Sequence, residues 1–323
     1  MPHPECGKAL SDSFLCFTFN LCVLEKPRQI FRFKRFNVAN QRSAMKVNTD
    51  GVLLGALMTI TPQDCRLLDI GTGTGTIALM AAQRLRSFAD AQDDKGNAQD
   101  DRRVAQDDRN GLQNGIDGFQ DDVNHATDIR VYAIDIDEPS ATEAAVNFRN
   151  SPWSDILRAH HASLEDFAAL IAESCAPAGP DTGECSSDSC PGYDLIFSNP
   201  PYFDNALQAP EERRNNARHT STGLSYREIL DFAADHLTST GRVAMVLPAD
   251  TEHDLTRHAR MCGLHLHKIT RIRTVPRKAP SRIVAEFSRH RTAAPEDTIL
   301  TIQVGGQYTQ EYLDLMHEFY LFA

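Results

Sequence analysis

Short apolar runs alternate along this chain with stretches whose apolar residues fall at helical spacing, and that alternation predicts an α/β fold with a Rossmann-like, doubly wound, mostly parallel sheet. Residues 66 to 70 (Arg-Leu-Leu-Asp-Ile) read as a strand and residues 76 to 85 as the helix after it. Val131 to Asp137 reads as a second strand ending in carboxylates, followed by a helix from Ser140 to Arg149 with Ala144, Ala145 and Phe148 on one face. A short third strand and its turn are expected between His160 and Phe167, and a fourth strand ends at Asn199. Ser225 to His236 predicts a helix, and Arg242 to Pro248 a fifth strand after Gly241. Residues 264–275 and 281–288 predict two strands joined by a basic turn at Arg277 and Lys278, which places an antiparallel strand at one edge of the sheet.

The fourth strand stops at Asn199-Pro200-Pro201-Tyr202. Two consecutive prolines donate no backbone hydrogen bond and restrict φ, so the chain turns out at the strand's carboxyl end. Open α/β sheets bind ligands at that edge. The Asn199 amide, the Pro200 carbonyl and the Tyr202 ring together suit a planar group bearing an NH2, such as a nucleobase or a carboxamide.

Asp69-Ile-Gly71-Thr-Gly73-Thr-Gly75 joins the first strand to the first helix. Gly71, Gly73 and Gly75 permit close approach of the backbone to a ligand. Their spacing differs from the G-x-G-x-x-G of dinucleotide binders, and Asp69 would repel a pyrophosphate. S-adenosylmethionine, with its ammonium and sulfonium, matches the charge. Asp135 ends the second strand, where an acid accepts both ribose hydroxyls of an adenosine cofactor; Asp137 is the next candidate.

An insertion separates the two strands. Residues 87–128 carry Ala-Gln-Asp-Asp at 91, 98 and 105, a seven-residue repeat without an apolar seam, with eleven acids against four bases. Such a segment buries too little surface to offset its ordering entropy. A second Gly/Pro/Ser-rich insertion spans about 174–192, and residues 1–28 read as an N-terminal extension. The expected organisation is a single domain over residues 29–323, interrupted by those two loops.

The chain carries a net charge of −11; without the first insertion, 29 bases face 33 acids. Lys26 to Lys46 holds seven bases and no acid, and Arg257 to Arg291 holds ten against Glu286. Basic runs interleaved with Phe31, Phe33 and Phe36 fit a nucleic-acid footprint. Lys34, Arg35, Lys46, Arg277, Lys278 and Arg282 are the candidate RNA contacts.

The eight cysteines include no C-x-x-C pair, so no metal site and no disulfide framework is expected. The apolar run Phe14–Leu24 lacks a strongly basic start and a small-residue cleavage site, and no stretch is long enough to span a bilayer. A cytoplasmic monomer without a membrane partner is expected.

The glycine loop, Asp135 and Asn199-Pro-Pro-Tyr together resemble the class I S-adenosylmethionine-dependent methyltransferases that methylate amino nitrogens. Ala44-Met-Lys-Val-Asn-Thr-Asp-Gly-Val-Leu-Leu-Gly, Asn150-Ser-Pro-Trp153 and Glu318-Phe-Tyr-Leu-Phe322 are similar to segments of the bacterial tRNA1(Val) adenine-N6 methyltransferases, which modify the adenosine just 3′ of the anticodon. The resemblance runs from about Ile30 to the C-terminus. It implies that Gly71, Gly73 and Gly75 line the methionine part of the cofactor, that Asp135 holds its ribose, and that Thr49 and Asp50 close over the methionine end. Asn199, Pro200 and Tyr202 would grip the target, and tRNA would be the partner. Where the family tends to have Asp against the cofactor adenine, this chain has Ser163.

Three other readings compete. The same transfer could act on release-factor glutamine, rRNA guanine or DNA adenine; the basic runs oppose the first, and the flanking segments the others. A non-catalytic RNA-binding protein would not need the glycines, Asp135 and Asn199. A nicotinamide oxidoreductase is disfavoured by the glycine spacing and Asp69.

Overall fold

The computed structural model describes residues 29–90, 129–174, 192–201 and 224–322. Its first half runs β1 (Ile30–Arg32), β2 (Asn37–Ala39), α1 (Thr49–Leu57), β3 (Arg66–Ile70), α2 (76–90), β4 (Arg130–Asp135), α3 (Glu138–Arg149), β5 (Leu157–His161), α4 (Leu164–Ser174) and β6 (Tyr193–Ser198). The second half runs α5 (Tyr226–His236), β7 (Leu237–Pro248), α6 (Glu252–Met261), β8 (His265–Arg273), β9 (Arg282–Ser288), β10 (Glu296–Thr301), a small hairpin β11 (Gln303–Val304) and β12 (Gln307–Tyr308), and α7 (Gln310–Met316).

Eight strands form one sheet in the order β10-β8-β9-β7-β6-β3-β4-β5. Strands β5, β4, β3, β6 and β7 are mutually parallel, which brings their carboxyl ends to one edge. Period-2 alternation sorts the strand residues into two layers. Leu67, Leu195 and Phe197 pack with α1, α2 and the β1–β2 hairpin, whereas Leu68 and Ile196 pack with α5 and α6.

The doubly wound, mostly parallel sheet agrees with the expectation, but the antiparallel strand is not at the rim. β9 lies between β7 and β8, antiparallel to both. The α6 crossover carries β8 two strand positions beyond β7, and β9 folds back into the gap. The rim is β10, parallel to β8. Its sequence Glu-Asp-Thr-Ile-Leu-Thr buries only the last two residues, so it carries little apolar signal.

Three boundaries also shift. β5 begins at Leu157 and α4 at Leu164, so the third strand lies earlier than His160–Phe167. β7 begins at Leu237 and runs through Gly241, where a Cβ would lie 2.6 Å from the Tyr193 carbonyl oxygen; glycine there lets the strands approach. Residues 87–90 continue α2 rather than opening the insertion. The extension 1–28, the repeat from 91 to 128 and the second insertion from 175 to 191 lie outside the described residues.

The place expected for Phe33 and Phe36 in a nucleic-acid footprint is overturned. Both rings are buried, stack on each other at 4.4 Å and belong to the core with Trp153 and Tyr320. Phe31 packs against the same cluster.

Candidate active site

The glycine loop follows β3 at the carboxyl edge. Gly71 and Thr72 donate their backbone N–H to the Ile134 carbonyl, which ties the loop to the end of β4. Gly71 (φ 72°) and Gly73 (φ 57°) occupy the left-handed region and line a cleft with Met45, Asn48, Thr74 and Asn199. Gly75 serves packing: a Cβ there would lie 2.5 Å from the Phe148 ring of α3, so glycine allows α2 and α3 to meet.

Two carboxylates sit under the loop. Asp69 is fully buried; its Oδ2 accepts from Thr72 Oγ1 at 2.7 Å, and its Oδ1 has no hydrogen-bond partner among the described residues. Burial, reinforced by the nearby Asp135 charge, raises its pKa from 3.8 to about 7. Asp135 Oδ2 accepts from Gly73 N–H at 2.8 Å and its Oδ1 from Asp137 N–H at 2.9 Å. Burial raises its pKa too, against the lowering effect of those hydrogen bonds. Next to it Ile136 is 73% exposed, an apolar surface that the motif reading missed because a single residue beyond a strand gives no periodic signal.

The far wall of the cleft comes from the strap between β2 and α1. Glu143 of α3 accepts three backbone N–H groups from it, those of Gln41, Arg42 and Ser43, each at 2.8 Å. Asn147, one turn on, bonds both backbone groups of Ala39 and the Thr74 carbonyl. Both residues are buried polar groups that a helical apolar pattern does not single out.

At the end of β6, Asn199 is 8% exposed and faces the strap. Its Nδ2 donates to Asn48 Oδ1 at 3.4 Å. Ser198 Oγ donates to the Ile70 carbonyl at 2.6 Å and locks β6 against β3 just below the site. Pro200 is buried beside Asn199. Tyr202 lies outside the described residues.

Other expected residues are placed elsewhere. Thr49 and Asp50 line a second cleft beside the first, where Asp50 Oδ2 accepts from Arg282 Nε at 2.8 Å. Ser163 caps α4: its Oγ accepts from Asp166 N–H and donates to Asp166 Oδ2. Lys46, by contrast, does line the first cleft, and its Nζ donates to the Gln41 and Ser43 carbonyls and so holds the strap. Lys34 donates to the His317 carbonyl, and Arg35 reaches Ser87 on α2. Ser87 is eleven residues beyond the helix start at 76, about 16 Å down its axis, so the structure does not bring these two bases to the glycine loop.

The basic run 257–291 likewise does not form a single cationic face. Arg271 pairs with Glu252 and Asp297, Lys268 approaches buried Glu286, and Arg289 bonds the Ala234 and Leu237 carbonyls. Arg277 and Lys278 are exposed on the β8–β9 turn. Because β8 runs parallel to the strands beyond β9, that turn shares the carboxyl edge with Asn199.

Nothing in this geometry fits a dinucleotide: buried Asp69 and half-buried Asp135 underlie the loop where a pyrophosphate would sit. The pieces fit S-adenosylmethionine. The left-handed glycines leave the cleft wall without side chains, Asp135 offers a carboxylate to a diol, and Ile136 offers an apolar face to a flat ring.

No protein-family model matches the chain. Curated relatives do. The chain is 30% identical over 291 residues to the tRNA1(Val) (adenine(37)-N6)-methyltransferase of Mannheimia succiniciproducens, covering 90% of this chain and 94% of that one. It is 33% identical over 293 residues to the enzyme of the same name from Flavobacterium johnsoniae, covering 90% and 99%. Among solved structures it is similar to a predicted O-methyltransferase from Agrobacterium tumefaciens, at 14% identity and a TM-score of 0.49, covering 84% of this chain and 96% of that one.

Proposed function

The chain belongs to the tRNA1(Val) (adenine(37)-N6)-methyltransferase family, and we propose that it methylates N6 of the adenosine at position 37 of that tRNA, acting as a monomer in the cytoplasm. S-adenosylmethionine, when bound in the glycine-loop cleft, supplies a methyl group activated on a sulfonium. Asp135 would hold the ribose hydroxyls, Ile136 would pack against the adenine, and Gly71 and Gly73 would admit the methionine portion. Among the described residues no helix is long and apolar enough to cross a membrane.

The observation that carries this reading is the position of Asn199, buried at the end of β6 against the wall of the same cleft as Gly71 and Gly73. The N6 lone pair of adenine is delocalised into the ring and is a weak nucleophile. The Asn199 Oδ1 and the Pro200 carbonyl oxygen can each accept one N6 hydrogen, which holds the amino group at the cleft and draws its lone pair out of conjugation. Positioning of this kind supplies the catalysis, and the base must leave its stack to reach the asparagine. Tyr202 is assigned the stacking role on the flipped base from the motif alone.

The test is mass spectrometry of nucleosides from tRNA incubated with purified protein and methyl-labelled cofactor, with the product mapped to its position. N6-methyladenosine next to the anticodon is the expected product. Label on guanine, or on the glutamine of a release factor offered in competition, would overturn the assignment. Asn199→Ala should abolish the transfer while binding of S-adenosylhomocysteine survives.

A further inference from the structure

Beside the glycine-loop cleft lies a second one, lined by Asp50 at the start of α1, by Thr274, Ser281 and Arg282 around the β8–β9 turn, and by Gln303 and Tyr308. We propose that it is a subsite for the nucleotide adjoining the target adenosine in the RNA strand, with the base stacked on Tyr308. This rests on the reading of the first cleft as an RNA adenine site.

The β11–β12 hairpin presents its chemistry in a fixed form. Gly305 (φ 60°) and Gly306 (φ 84°) make a two-residue turn with both central residues left-handed, the geometry that matches strand twist. Gln303 and Tyr308 are therefore direct cross-strand partners, and both line the cleft. Tyr308 is 43% exposed, yet its ring is held by near-parallel neighbours, Tyr312 at 5.0 Å and Phe322 at 5.4 Å. A large ring kept in place at a wet cleft loses little freedom when a base stacks on it. Gln303 adds an amide, which can both donate and accept toward a base edge.

Charge and position favour a nucleotide. The Asp50 carboxylate is offset by Arg282 at 2.8 Å. The exposed Arg277 and Lys278 lie within the turn whose two ends, Thr274 and Ser281, line the cleft, so cations flank it where a phosphate would pass. The two clefts also share a wall. Asn48 and Gly51 line the first, and Thr49 and Asp50 the second, so the first turn of α1 forms part of the wall of both. A strand with its target base in the first cleft delivers its next base to the second, and single-stranded loops are where proteins read splayed bases in this way.

The experiment compares the parent protein with Tyr308→Ala and Tyr308→Phe, using a synthetic RNA hairpin carrying the anticodon loop of tRNA1(Val). Hairpin affinity is measured by anisotropy in the presence of S-adenosylhomocysteine, with methylation kinetics alongside. Tyr308→Ala should weaken hairpin binding and raise KM roughly 5- to 100-fold. Its kcat should change less than about twofold, its S-adenosylhomocysteine affinity should hold, and Tyr308→Phe should bind as the parent does. Equal binding by the folded Ala variant would overturn the subsite. If the parent binds the hairpin but methylates no adenosine, the reading of the first cleft fails, and the binding comparison still decides the second.

Discussion

The side-chain amides of Asn48 and Asn199 meet head to tail across the candidate site, with Asn199 Nδ2 at 3.4 Å from Asn48 Oδ1. The same Asn48 oxygen accepts the Gly51 N–H at 2.8 Å as the N-cap of α1, so that atom must be the oxygen. Asn199 must then present its nitrogen to Asn48, which turns its carbonyl oxygen to the other side. An N6 amino group needs that oxygen, because the amino group donates.

Asn48→Ala is therefore expected to lower kcat at least tenfold while costing about 1 kcal/mol of stability for the lost cap. Asn48→Asp, which keeps an acceptor for both Gly51 N–H and Asn199, should recover most of the rate. Steady-state kinetics with thermal melts on both variants check it, and equal rates in the two would remove Asn48 from the orienting role.

Asp135→Ala should weaken S-adenosylhomocysteine binding by more than tenfold, because two ribose hydroxyls lose a charged acceptor whose hydrogen bonds are worth about 1.5–3 kcal/mol each. Burial holds the Asp135 pKa above the ordinary carboxylate value, so the parent's affinity should fall as pH drops toward it. Calorimetry across a pH series reads both effects. An unchanged dissociation constant would shift the ribose site to another residue.

Asp69 predicts a pH dependence of folding stability. Its folded pKa of about 7 lies above the ordinary 3.8, so protonation favours the folded state. The stability linked to this group is full below about pH 4 and is lost as pH rises through about 7, by an amount on the order of 4 kcal/mol. Asp69→Asn is uncharged at every pH. Urea melts of the cofactor-free protein should show the parent losing stability relative to the variant between pH 5 and pH 8. Parallel curves would place the Asp69 pKa near its ordinary value.

Glu143→Gln should loosen the strap over the glycine loop. A carboxylate oxygen pair now accepts three backbone N–H groups, and the amide nitrogen of glutamine would oppose at least one of them. The expected result is a loss of about 1–3 kcal/mol in stability, together with weaker S-adenosylhomocysteine binding, because Met45 and Asn48 of the strap form the cleft wall. Unchanged cofactor affinity would show that the wall keeps its place without Glu143.

The sequence by itself determined the parts of this protein that are local in the chain. Residues 66 to 85 fold a strand, a left-handed turn and a helix in unbroken succession, and the prolines after Asn199 stop their strand wherever that strand lies in the sheet. The doubly wound order follows from the same alternation. Tertiary structure decided what depends on residues more than a hundred positions apart. Asn48 reaches Asn199 across 151 positions and Asp50 reaches Arg282 across 232, and no spacing rule sets either distance. Phe33 and Phe36 carry the same apolar pattern whether a ring faces RNA or a core, and only the packing of Trp153 and Tyr320 around them selects the core. Basic residues are equally ambiguous along the chain: Arg271 and Lys268 find carboxylates on neighbouring elements, whereas Arg277 and Lys278 remain exposed at the edge that carries the site. A charge is local, but its partner is supplied by the fold.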